Sequence, residues 1–136
     1  MISSYNAATQ TVASGSAYAF DTNRIVTGCT VGHVPGTTAF SLNRPGYYYV
    51  TFNTTFPTEA AGVATVELQN NGVAIPGAVG SETVTTIGDV QSISFATIVK
   101  VLPSCAALDN TAILTFVATD LALTETVANV NITKLC

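Results

Sequence analysis

The segment Gly46-Tyr47-Tyr48-Tyr49-Val50-Thr51-Phe52-Asn53-Thr54-Thr55-Phe56 constrains this chain more than any other. At a period of two it places Tyr48, Val50, Phe52 and Phe56 on one face and Tyr47, Tyr49, Thr51, Asn53 and Thr55 on the other. That pattern predicts a long central β-strand with a core face. The opposite face is polar but carries two tyrosines, whose broad rings and hydroxyl tips suit a surface that is covered by contact with something else. The strand therefore points to binding or assembly, and no stretch of comparable strength points to catalysis.

At 136 residues the chain is read as one domain, residues 1–136, long enough for a single two-layer core. Charged residues make up only 9% of it, against about a quarter in an ordinary soluble domain. Thr, Ser, Asn and Gln take their place, so the surface is neutral and polar. With 48% apolar residues, that surface is expected to hold apolar patches best hidden in a symmetric oligomer. The net charge is −4, and the four basic residues, Arg24, Arg44, Lys100 and Lys134, are scattered. A nucleic-acid partner needs a clustered cationic footprint, which excludes that class. Membrane insertion is excluded as well: the apolar runs are broken by Thr and fall short of the ~20 residues of a spanning helix. The start, Met1 to Asn6, lacks the basic and apolar regions of a secretory signal, which leaves either a leader absent from this sequence or a protein assembled inside a cell.

Thr, Val, Ile, Tyr and Phe dominate, and no segment sustains a 3.6-residue apolar period, so the fold class is all-β. Strands are expected over 9–13, 17–20, 24–34, 38–42, 46–56, 63–69, 73–75, 82–87, 90–102, 111–119 and 124–134. Asn71-Gly72 tolerates positive φ at both positions and is the sharpest hairpin signal, whereas Pro76-Gly77 is expected to end the short strand before it. Core positions are Tyr48, Val50 and Phe52, then Val66 and Leu68, Ile93 and Phe95, Leu114 and Phe116, and Val130 and Ile132. Residues 103–110 are expected as a surface loop with Asp109-Asn110 at its tip. About ten short strands with regular turns argue for a ten-stranded jelly-roll β-sandwich.

The order of Gln10-Thr11-Val12, Phe20-Asp21-Thr22-Asn23, Pro45-Gly46-Tyr47-Tyr48-Tyr49-Val50, Val66 through Asn71-Gly72-Val73 to Gly77, and Asn129-Val130-Asn131-Ile132-Thr133 resembles the trimeric jelly-roll heads of the complement and tumour-necrosis-factor superfamily. The bacterial and phage branch is nearest: tips of collagen-like spore-surface glycoproteins, and head-fibre or capsid-decoration proteins. The resemblance implies a homotrimer with aromatic residues of the Gly46 to Phe56 strand near the threefold axis. Tyr47, Tyr49 and Thr51 would form that contact with Ser92, Ser94 and Ala96 of the other long strand. Spore-surface relatives carry a Gly-X-Y segment before the head, and this sequence shows none. That difference favours a phage capsid-decoration or head-fibre protein on the virion surface, assembled in the host cytoplasm. A bacterial surface or spore-coat head that binds glycans is the alternative. Met1 to Thr9 is the candidate docking arm on a capsid or other particle surface.

Chemistry is sparse. Cys29, Cys105 and Cys136 are widely spaced and His33 is the only histidine, so a zinc site lacks ligands. The thiols read as small buried hydrophobes plus a free terminal Cys136. A Cys29 to Cys105 bridge, or a link through Cys136 between subunits, stays open. The carboxylates fall in predicted turns or on outward strand positions and read as solvated. Asp109 and Asp120 are the candidates for a calcium site at one end of the roll. One histidine with no nucleophile motif gives no hydrolytic triad. The expectation is a non-enzymatic protein with no cofactor and no metal. Asn53-Thr54-Thr55 and Asn131-Ile132-Thr133 match the glycosylation pattern, which arises readily by chance in a Thr-rich chain.

Overall fold

The computed structural model describes residues 1–102 and 112–136. Among the described residues, eleven strands run in the order β1 (Ile2–Tyr5), β2 (Gln10–Val12), β3 (Thr22–Val26), β4 (Val31–Gly32), β5 (Phe40–Leu42), β6 (Gly46–Pro57), β7 (Gly62–Asn70), β8 (Val73–Val84), β9 (Val90–Val101), β10 (Ala112–Asp120) and β11 (Leu123–Lys134). They form two antiparallel sheets. A six-stranded sheet has the order β3-β1-β11-β6-β9, with β2 also paired to β11, and a five-stranded sheet has the order β4-β5-β10-β7-β8.

The alternation in β6 determines its place. Tyr48, Val50, Phe52 and Phe56 are buried against the second sheet, where Val66, Leu68, Leu114 and Phe116 meet them. Phe52 stacks on Phe116, centroids 4.9 Å apart at 12°, joining the two sheets through the middle of the sandwich. Ile93, Val130 and Ile132 are buried beside them. Phe95 is only half-buried, because β9 is the sheet's edge, but its ring lies 5.3 Å from that of Phe52.

Between β2 and β3, both in the six-stranded sheet, the chain passes beside β10 of the other sheet and returns, the Tyr18 amide donating to the Phe116 carbonyl at 2.8 Å. Residues 17–20 are therefore no strand: they make only the isolated bridges of Ala17 to Val117 and Phe20 to Thr37. Tyr18 and Phe20 are wholly buried there. The Tyr18 hydroxyl meets Thr54 and Thr126 at 3.2 and 3.4 Å, and these two threonines bond each other at 2.7 Å. Buried hydroxyls satisfy one another in this cluster, which is how Thr54 occupies a core position of β6. Burial pushes the Tyr18 hydroxyl above its ordinary pKa.

Several expected boundaries move. The first strand begins at Ile2, not Thr9: β1 lies between β3 and β11, with Ile2 fully buried, so the segment read as a docking arm is part of the sheet. The strand expected over 24–34 is broken into β3 and β4 by a turn at Gly28, whose φ is 73°. Cys29 sits in that turn and is exposed, correcting the expectation of a buried thiol. Pro76-Gly77 does not end β8. The β7–β8 register shifts between Glu67 and Gln69, and Pro76 falls in the resulting bulge on an edge strand, where a missing N–H costs no ladder bond. Asn71 and Gly72 adopt φ of 52° and 83°, the positive pair a two-residue hairpin needs. The expected loop over 103–110, with Cys105, Asp109 and Asn110, lies outside the described residues.

Candidate self-association face

The outer face of the six-stranded sheet is built from the polar halves of its alternating strands. The β6–β9 register places Tyr47 beside Lys100, Tyr49 beside Ile98, Thr51 beside Ala96, Asn53 beside Ser94 and Thr55 beside Ser92. Tyr47, Tyr49, Thr51, Ser92, Ser94 and Ala96 therefore share one surface. Tyr47 and Tyr49 are 42% and 43% exposed, and Ile98 beside them is 56% exposed. Thr51 is half-buried, whereas Ser92, Ser94 and Ala96 are exposed. The Lys100 ammonium stands 5.6 Å from the Tyr47 ring centre.

On the other side of β6, β11 and β1 extend this face, a contribution the isolated pattern of β6 did not reveal. Asn53 donates to Asn129 at 3.3 Å and Asn131 to Thr51 at 3.2 Å. The signal lay in the strict alternation of Val127 to Ile132, which turns Asn129 and Asn131 outward. Tyr5 of β1 pairs with Asn129, and the Arg24 guanidinium of β3 lies 4.7 Å over the Tyr5 ring. Together they border a groove of about 240 Å³.

The paired stretches of β1, β6, β9 and β11, from Ile2–Tyr5, Gly46–Pro57, Val90–Val101 and Val127–Lys134, contain no carboxylate. Strand-borne Glu67, Glu82 and Asp120 belong to the other sheet, and the six-stranded sheet carries Glu125 near the start of β11, where that strand pairs with β2. Desolvating an unpartnered charge is expensive, and the two cations named on this face each stand over a ring, Lys100 over Tyr47 and Arg24 over Tyr5.

The remaining candidates stand apart from this face. Asp120 has φ 65° and accepts a hydrogen bond from Thr65 at 3.2 Å. Its proposed calcium partner, Asp109, lies outside the described residues, and among the described residues no three potential metal ligands cluster. His33 stacks on Phe40 at 4.3 Å and is held by Asn23 and the Thr37 carbonyl, with no nucleophile among these partners. Burial lowers its pKa, against the opposing pull of that carbonyl. Asp21, read from the sequence as a solvated turn residue, instead accepts hydrogen bonds from the Ala7 and Ala8 amides and the Thr22 hydroxyl. At one end of the sandwich a pocket of about 400 Å³ opens among Phe56, Pro57, Val84 and Leu121. Cys136 is free and exposed beside β6, its carbonyl accepting from the Tyr47 amide at 3.2 Å.

No protein-family profile matches the chain, and no curated protein matches it in sequence. Solved structures do. The globular domain of the zebrafish complement 1qA protein superposes with a TM-score of 0.74 at 12% identity, covering 99% of this chain and 96% of that one. The PRD1 vertex protein P5 gives 0.64 at 14% identity, over 99% and 96%. Murine APRIL gives 0.61 at 8%, over 98% of both chains. At such identities the likeness is one of fold alone, and it extends over nearly the whole chain: this protein has the two-sheet jelly-roll fold shared by the complement 1q globular domain, the vertex protein P5 and APRIL.

Proposed function

We propose that the protein is a non-enzymatic, homotrimeric surface protein whose subunits meet through the outer face of the six-stranded sheet. The observation that carries this reading is the face itself. Its stretches Ile2–Tyr5, Gly46–Pro57, Val90–Val101 and Val127–Lys134 carry no carboxylate, and Tyr47, Tyr49 and Ile98, which are exposed and apolar in body, cluster toward one end of it. Such a surface gains from ring burial. The trimer is displayed on the exterior of a phage virion as a capsid-decoration or head-fibre protein. Its fold likeness to a protein named for a vertex supports that placement. Function then comes from geometry: one end of the trimer docks on a capsid or other particle surface and the other faces outward.

Tyr49→Ala tests the contact. The variant is expected to lose the trimer in light scattering while keeping its far-ultraviolet dichroism, because the ring is outside the core. Unchanged oligomer mass in the variant counts against this face as the contact.

A second reading keeps one observation of its own. Tyr47 and Tyr49 project side by side from alternate positions of β6, a spacing that suits stacking on sugar rings. On that reading the protein is a bacterial surface or spore-coat head, extracellular, that binds glycans. A glycan array separates the two: saturable binding that Tyr49→Ala abolishes, with the oligomer intact, favours the glycan head.

A further inference from the structure

A ring of three identical chains closes only when one patch of each copy meets a different patch on the next. Rotation about the axis moves nothing along it, so the two patches lie at the same height. In a ring whose axis runs along the strands, heights follow from the register. Tyr5, Asn129, Asn53 and Ser94 form one row across the six-stranded sheet. At one end of the row is the Tyr5–Arg24 groove, whose walls include Asn53 and Asn129 but no carboxylate. At the other end is the sheet's edge strand, β9, with β8 of the second sheet packed against it. Gly80 of β8 is level with Ser94, since a Cβ placed on it would lie 3.4 Å from the Ser94 carbonyl oxygen. Glu82, two residues further along, shares its side of the sheet with buried Ala78 and Val84, is half-buried at the rim where the edge strands β8 and β9 meet, and is the one carboxylate in them.

The geometry points to an ion pair between subunits, in which Glu82 of one copy enters the Tyr5–Arg24 groove of the next. The proposal rests on the trimeric reading and names the second half of its contact. The guanidinium lies 4.7 Å over the Tyr5 ring, and its fork of N–H donors suits a planar two-oxygen acceptor. The Asn53 and Asn129 amides flank the incoming carboxylate. Three such pairs, one per contact, fix the rotational register of the ring, while Tyr47, Tyr49 and Ile98 supply apolar area nearer the axis.

Sedimentation equilibrium on the wild type, Arg24→Glu, Glu82→Arg and the double variant tests the pairing, with circular dichroism confirming that each is folded. Each single variant is expected to raise the concentration of half-dissociation by about tenfold or more, the scale of a lost charge-assisted contact. The charge-swapped double variant is expected to recover most of that loss. Raised salt should weaken the wild-type trimer, as it screens an interfacial ion pair, and this measurement needs no variant to fold. A wild-type trimer indifferent to salt, or single variants as tightly assembled as the wild type, overturns the pairing and leaves the trimer standing. A wild type that is monomeric at every concentration overturns the trimeric reading itself.

Discussion

Asp21 shows how much a single side chain can carry outside the core. It is fully exposed, yet its carboxylate gathers the Ala7 amide at 2.8 Å, the Thr22 hydroxyl at 2.8 Å and the Ala8 amide at 3.3 Å, and so ties the turn after β1 to the start of β3. The Ala7 amide, followed by the Thr22 hydroxyl, holds its pKa below the ordinary 3.8. The folded state thus binds this proton less readily than the unfolded chain. The stabilisation is complete above the ordinary carboxylate value and disappears as pH falls through the lowered one. Asp21→Asn is expected to reduce the urea midpoint at neutral pH, with the gap to the wild type narrowing in acid; a gap independent of pH would contradict this account. Phe52→Ala, which removes the ring that stacks on Phe116, is expected to cost about 3 to 5 kcal/mol in denaturant unfolding. Sequence alone missed the role of Asp21, because a turn aspartate that caps distant amides and one that is merely solvated look alike until the chain is folded. The expected burial of Cys29 failed for a related reason, since residue type describes an average environment and the turn at Gly28 is local.

Individual elements were legible where one face is buried and the pattern runs long. The inward residues of β6, β7, β10 and β11 follow directly from alternation, and Asn71-Gly72 marks its own hairpin. Boundaries were less legible wherever tertiary context outweighs a local signal. Pro76 is a reliable strand breaker only when its N–H is needed, and on an edge bulge it is not. Residues 17–20 alternate like a strand but serve as a passage beside the other sheet that fills the core with Tyr18 and Phe20. Gly46, at the start of β6, has φ 140°, and a Cβ there would collide with the Cys136 carbonyl and the Lys134 side chain. Gly46→Ala should therefore loosen the end of β11, which is held by the Leu135 amide donating to the Tyr47 carbonyl at 2.7 Å. Faster hydrogen exchange at Leu135, with core amides unchanged, is the expected result; an unaltered Leu135 rate would show that the backbone there accommodates the methyl group.

At the scale of the whole molecule, the distribution of charge is the property that no single strand displays. Low charge content was plain in the composition. That the stretches of β1, β11, β6 and β9 paired side by side from Val127 onward lack carboxylates became visible only once pairing assembled them. The polar face of β6 thereby becomes part of a broad surface with Tyr47, Tyr49 and Lys100 at one end and the Tyr5–Arg24 groove at the other, its charge positive. That further copies of the chain cover this surface is tested most directly by the native mass of the unmodified protein in size-exclusion chromatography with light scattering. The account predicts three times the 14.0 kDa chain mass, maintained on dilution into the low micromolar range. A single-chain mass across that range would contradict it.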